Sequence, residues 1–198
     1  MIKPFSQACE NNSIPILNQL SRLLADSQTV LEVGSGTGQH AVYFAESLPH
    51  VVWQTSDLKE NHEGINLWIA ESGLDNILPP LIFDVAEKGN NDNTYDAIFM
   101  ANTLHIMSES VVRKCIKKAS KYINENGFLI TYGPFNYEGQ FTSESNARFD
   151  QWLKAADIGR GIRDFEWVNK LAEDRGFTFE EDHPMPANNR LLVWRFKR

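Results

Sequence analysis

Thr29-Val30-Leu31-Glu32-Val33-Gly34-Ser35-Gly36-Thr37-Gly38-Gln39-His40 is the stretch that decides the fold. Its first half is a short run rich in β-branched and apolar residues, as a buried strand requires; its second half is a glycine loop. A helical pattern follows directly, with Ala41, Phe44, Ala45 and Leu48 on one face. Glycines between a strand and a helix let the backbone turn sharply and approach a ligand closely. The loop departs from two phosphate-binding patterns. A dinucleotide fingerprint needs glycines at 34, 36 and 39, but position 39 is Gln39, and no Gly-Lys-Ser/Thr ending marks a Walker loop. Glu32, an acid inside the strand end, would repel a pyrophosphate and attract a cationic amino-acid head.

Outward from this stretch, strands and helices alternate. Residues 51–56 give a second strand, and a helix with Ile65, Leu67, Trp68 and Ile69 stops at Gly73. Residues 77–83 form a third strand that Pro79 and Pro80 push to a sheet edge. After a polar turn at 89–93 come a fourth strand (95–101), an amphipathic helix (108–122) and a fifth strand (127–132). Towards the N-terminus, Ser13 is read as a helix cap, with Pro15 in the first turn and Leu17, Leu20 and Leu24 at helical spacing. Residues 133–163 contain a loop and a helix but no strand pattern; Asp164 caps a further helix that Gly176 ends. The last strands, 177–182 and 190–196, are joined by 185–189, too short for a crossover, so they run antiparallel.

The expected fold is therefore α/β: a seven-stranded, mostly parallel sheet with helices on both faces and an antiparallel C-terminal hairpin. One domain, 1–198, is expected, with an N-terminal helical segment (1–28) and a lid insertion (133–163) after the fifth strand. Ligands in such sheets bind at the carboxyl ends of the strands, near the topological switch point.

Composition narrows the partners. The chain has 198 residues, 42% of them hydrophobic and 23% charged, and a net charge of -7. That balance argues against sequence-indifferent nucleic-acid binding and against docking on an anionic membrane. Cys9 and Cys115 stand alone and the five histidines form no ligand pair, so no metal is expected. The start lacks a signal-peptide pattern and the apolar runs are too short to span a bilayer, which points to a cytoplasmic protein. The basic row Arg113, Lys117 and Lys121, with Lys114 and Lys118, reads as a solvated helix face.

Three further strand ends carry polar groups. Asp57 lies 23 residues after Gly34, where a carboxylate accepts from vicinal ribose hydroxyls of NAD or S-adenosylmethionine (SAM) alike; capping the turn at Lys59 is its alternative role. Leu58 beside it offers an apolar wall for an adenine ring. Asp84 ends the third strand, and Asn102 follows the fourth at the switch point. The pattern acidic-x-Gly-x-Gly-x-Gly at Glu32 to Gly38 resembles the first motif of class I SAM-dependent methyltransferases. That resemblance implies that Asp84 accepts from the adenine amino group while Val85 stacks on the ring.

The stretches Gly133-Pro134-Phe135, Thr142, Ser145-Asn146, Phe149-Asp150, Gly161-Ile162-Arg163-Asp164 and Met185-Pro186-Ala187-Asn188-Asn189, with Glu10 and Asn12, carry a narrower resemblance. They are similar to an uncharacterised family of SAM-dependent methyltransferase-like proteins, with Asn11 where that family suggests Arg. The function implied is in-line methyl transfer from SAM to a small polar molecule, releasing S-adenosylhomocysteine (SAH). His105, Tyr132 and Asp150 are the candidate bases; Asn146, Asp150, Arg163 and Asn188 are the candidate acceptor contacts. A non-catalytic SAM-binding scaffold is the alternative, and a nicotinamide oxidoreductase is disfavoured by Gln39.

Overall fold

The computed structural model describes residues 3–85 and 93–197. Most of the polar turn at 89–93 lies outside them. The main sheet has seven strands in the order β3-β2-β1-β4-β5-β9-β8. They are β1 Thr29–Val33, β2 Val52–Asp57, β3 Ile77–Ile82, β4 Tyr95–Ala101, β5 Ile123–Gly133, β8 Phe177–Met185 and β9 Asn189–Phe196. Pairs among β1 to β5 are parallel, whereas β9 runs antiparallel to both β5 and β8. The chain winds outward to edge strand β3, then returns to place β4 beside β1, which puts the switch point between those two strands.

Strand alternation builds two cores. Ala97 and Phe99 of β4 pack with Ile16, Leu20, Phe44 and Trp53 on the face covered by α1 (Gln7–Leu23) and α2 (Gln39–Ser47). Ile98 and Met100 point the other way, to Val112, Ile116 and Trp194 under α4 (Glu109–Ala119) and α6 (Phe165–Glu173). Each fully buried side chain of this size contributes roughly 1.5–3 kcal/mol. Helix α3 (His62–Ser72) packs against α2 and β3, and no helix among the described residues is long and apolar enough to cross a membrane.

Three local expectations are corrected. Helix α1 begins at Gln7, capped by Ser6, so Ser13 is interior, with its hydroxyl on the Cys9 carbonyl at 2.5 Å. Pro15 sits inside this helix. It lacks only the N–H that would bond the carbonyl of Asn11, an exposed residue that water can serve. The 133–163 segment does contain strand: β6 (Phe135–Asn136) pairs in parallel with β7 (Arg163–Asp164) around helix α5 (Glu144–Ala156). Asp164 occupies the cap position of α6 without a side-chain capping bond, because its carboxylate accepts from Gly139 N instead.

Candidate active site

The carboxyl ends of β1 and β2 form one hydrogen-bonded unit. Gly34 and Ser35 donate their N–H groups to the Ser56 carbonyl at 2.9 and 3.0 Å, and Gly38 N donates to Ser35 O. Gly34, Gly36 and Gly38 all take positive φ, at 80°, 57° and 91°. At Gly34 the close neighbour is Thr103: a β-carbon there would stand 2.8 Å from its methyl. Nothing lies within 4 Å of the corresponding point at Gly36, so the middle of the loop opens onto space.

Glu32 lies beneath this loop, 1% exposed, accepting from Trp53 Nε1 at 3.2 Å and from the Ser35 hydroxyl. Ser35 in turn accepts from Ser56 N. Burial pushes the Glu32 carboxyl up to about 7; the Ser35 and Trp53 bonds oppose that shift and the charge of Asp57 adds to it. A buried acid in that condition favours a cationic neighbour.

Asp57 is buried and braces the loop. One oxygen accepts from Gly36 N at 2.7 Å; the other accepts from Leu58 N at 2.7 Å and from Asn61 Nδ2 at 2.8 Å. The cap of the 59–61 turn is Leu58, so the capping role expected for Asp57 is replaced by bonds to Leu58 N and the Asn61 amide. Of the carboxylate's roughly four acceptor positions, three are filled by these groups and Gly36. Leu58 beside it is 43% exposed. Asp84 and Val85 are half-buried at the end of β3, with the Asp84 carbonyl held by Lys118 Nζ at 2.6 Å. That bond takes one member of the basic row out of bulk solvent.

At the switch point Asn102 adopts a left-handed φ of 56°, and its N–H bonds the Tyr132 carbonyl. Its Oδ1 and His105 Nδ1 each lie 3.6 Å from where a Gly133 β-carbon would stand, so the two polar groups converge on one spot. His105 is 6% exposed and its ring has no hydrogen-bond partner among the described residues. Burial, helped by the charge of Arg163, lowers its pKa to about 4. The imidazole is therefore neutral near pH 7 and can accept a hydrogen bond.

The other expected acceptor groups are taken up by the protein. Asp150 is 3% exposed and receives Ile162 N at 2.8 Å and Lys154 Nζ at 2.6 Å. Arg163 donates to the carbonyls of Leu104, Met107 and Gly159, clamping the loop that carries His105. Asn146 Nδ2 bonds Thr142 Oγ1 at 2.9 Å and Asn188 O at 3.1 Å, and Asn188 Nδ2 bonds Ser145. The Tyr132 oxygen accepts from Asn189 Nδ2 at 3.1 Å and bonds Asn12, whose own Oδ1 lies 2.6 Å from His40 Nε2. These side chains join α5, the hairpin turn and α1 into one rim.

Other contributors escaped the sequence reading. Gln39 holds the start of α1 onto the glycine loop, its Oε1 accepting from Ser6 N at 2.5 Å and from Thr37 Oγ1 at 3.1 Å. The residue that breaks the dinucleotide pattern is thus a structural clamp, and no periodicity announces it. Ser35 was visible only as a variable position within the motif. Trp152 had a signal: a second large aromatic three residues after Phe149, at helical spacing.

A groove of about 430 Å³ lies elsewhere, at the amino edge of the sheet. Its Asp96 is saturated by Gln28, Thr29 and Asn124, and its Arg22 and Arg195 are paired with Glu181 and Glu180, so little there is left to bind a ligand.

Comparison with known proteins supports the fold. An O-methyltransferase family protein from Burkholderia thailandensis superposes with a TM-score of 0.82 at 17% identity, over 96% of this chain and 57% of that one. Human N-acetylserotonin methyltransferase in complex with SAM gives 0.80 at 14% identity, over 97% and 53%. In sequence, (S)-tetrahydroprotoberberine N-methyltransferase of Eschscholzia californica is 29% identical over 165 residues, 80% of this chain and 43% of the relative. The chain thus spans about half the length of these proteins. A family profile described as "Protein of unknown function (DUF938)" matches residues 3–196, and the chain, with its Rossmann-like methyltransferase fold, belongs to that family.

Proposed function

We propose that the protein is a SAM-dependent methyltransferase acting on a small molecule. The observation that carries this reading is the set of polar groups on successive strand ends: Glu32 under an open glycine loop, Asp57 bracing it, Asp84 and Asn102 beyond. In this reading Glu32 faces the cationic amino-acid head, Asp57 accepts from the ribose, and Asp84, Val85 and Leu58 enclose the adenine. When bound, SAM supplies an electrophilic methyl group on sulfur. The Eschscholzia relative, named an N-methyltransferase, supports the reaction class.

The chain's own task is then alignment. Holding reactants in line supplies roughly 7–11 kcal/mol, against about 10²–10⁴-fold from a general base. Of the three candidate bases, His105 is the one whose ring nitrogens bond no protein group among the described residues. It orients the nucleophile as a neutral acceptor. Tyr132 and Asp150 act as rim supports, and Arg163 positions the His105 loop.

Calorimetry with SAM, SAH and NAD, then a metabolite screen for isotopic methyl uptake, tests this. SAM and SAH are expected to bind in the micromolar range and NAD not at all; equal binding of NAD and SAH would refute the cofactor. Binding without uptake into any acceptor would favour the scaffold alternative.

A further inference from the structure

Helix α5 is built the wrong way round for a structural cap. It buries Asn146, Asp150 and Leu153 and leaves Trp152 65% exposed. An exposed large ring beside buried polar groups is the informative departure from the usual partition. The buried polar groups are all engaged, Asn146 with Thr142 and Asn188, Asp150 with Ile162 and Lys154. Arg163 and Asn188 are likewise bound to protein atoms. A rim whose amides and charges are already paired has few polar contacts left for an acceptor. What remains is ring surface.

That surface is continuous with the candidate site. Trp152 stacks on Phe149 with centroids 5.8 Å apart and planes 13° from parallel. Phe149 meets the His105 ring edge-on at 5.3 Å. The three rings form a ladder from solvent to the point where His105 and Asn102 converge beside Gly133. Ile106, 49% exposed, extends the apolar character next to His105. The charges along α5 are paired locally, Arg148 with Glu144 and Lys154 with Asp150, so the ladder carries no strong field of one sign.

We propose that the methyl acceptor is a neutral, planar aromatic molecule that lays its ring along Trp152 and Phe149 and presents an O–H or N–H to His105. This rests on the methyl-transfer reading and replaces the polar acceptor expected from sequence. In the transfer, the acceptor's oxygen or nitrogen gains a bond to the methyl carbon. The carbon–sulfur bond breaks with its electron pair left on sulfur, and the acceptor's proton passes to the imidazole and on to water. Aromatic pairing beyond simple burial is a modest effect, so the ladder sorts acceptors by shape rather than holding them tightly.

The test uses full-length protein saturated with SAH, after SAH binding itself has been confirmed. Phenol, 4-ethylphenol and 2-naphthol are titrated against cyclohexanol, 4-ethylcyclohexanol and decahydro-2-naphthol, all neutral, with binding followed by saturation-transfer NMR and calorimetry. At least one aromatic member is expected to bind tenfold or more tightly than its saturated counterpart. Trp152→Ala, at an exposed position that does not threaten folding, is expected to weaken that binding about fivefold, and Phe149→Ala with Trp152→Ala about tenfold, with SAH affinity unchanged. Equal binding of aromatic and saturated members, no binding by any aromatic member, or unchanged binding in Trp152→Ala would each overturn the proposal. A dimer in sedimentation that Trp152→Ala dissociates would also overturn it, by giving the ladder to a second copy of the chain. Failure of SAH to bind would instead refute the cofactor reading.

Discussion

The backbone N–H of Gly36 donates to the carboxylate of Asp57 at 2.7 Å, so the turn that ends β1 is held by the acid that ends β2. One carboxylate thereby shapes the glycine loop and, in the proposed reading, also accepts from a ligand hydroxyl. Removing it must disturb both.

Asp57→Ala loses bonds to Gly36, Leu58 and Asn61, and hydrogen bonds to a charged group are each worth about 1.5–3 kcal/mol. Gly36 is exposed, so water recovers part of that loss, and a net destabilisation of roughly 1–3 kcal/mol in urea is expected. SAH affinity should fall at least tenfold. A variant that is destabilised yet binds SAH normally would leave Asp57 as a brace and nothing more.

The two loop glycines differ in what surrounds them, and their alanine variants should differ accordingly. Both pay the left-handed backbone penalty of about 1–2 kcal/mol. Gly34→Ala also drives a methyl onto buried Thr103, 2.8 Å from its nearest atom, whereas Gly36→Ala meets open space. Thermal melts should rank Gly34→Ala well below Gly36→Ala. Gly36→Ala should still lose SAH binding, because its methyl enters the space the ligand needs. Normal SAH binding by Gly36→Ala would place the ligand elsewhere.

These contrasts mark how far the sequence reads. Strand alternation and the short 185–189 connection sufficed for the sheet, because period and loop length are local constraints. The strand-end positions of Glu32, Asp57, Asp84 and Asn102 were legible for the same reason. Partners were not. That Asp150 would hold Ile162 N, or Gln39 the start of α1, depends on loops meeting in space, and a side chain's type does not reveal whether the fold has already engaged it. The cap at Ser13 failed because a proline within one turn of a serine imitates a helix start, whatever lies upstream.

Glu32 ties cofactor binding to pH. Its folded pKa of about 7 lies above the ordinary 4.5, so the folded state binds this proton more tightly than the unfolded chain. The resulting stability is present at low pH and is lost as pH rises from 4.5 through 7, by roughly 3 kcal/mol at 1.36 kcal/mol per pKa unit. Glu32→Gln should therefore be more stable than the parent at pH 8 and close to it at pH 4.5 in urea titrations. A cationic head beside Glu32 would hold it ionised, so SAH binding at pH 6 should release a proton in the parent and none in the variant. Buffer-independent binding heats in the parent would contradict that placement.

His105 should act in the opposite sense. Its pKa of about 4 lies below the ordinary 6.5, so the folded state binds this proton less tightly than the unfolded chain. Stability from the neutral ring is complete above pH 6.5 and drains away as pH falls through 4, again by roughly 3 kcal/mol. His40, buried with a pKa also about 4, adds a second loss in the same window. His105→Gln should then gain on the parent as pH falls from 6.5 to 4, just where Glu32→Gln surrenders its advantage. In any methyl transfer found, the parent rate should show no histidine limb between pH 6 and 8, because the imidazole is neutral throughout. His105→Gln should lower kcat about 10²-fold with SAH affinity unchanged. A rate that halves near pH 6.5 in the parent and loses that step in His105→Gln would show an imidazole titrating at its ordinary value, and the orienting role assigned to a buried neutral ring would fail.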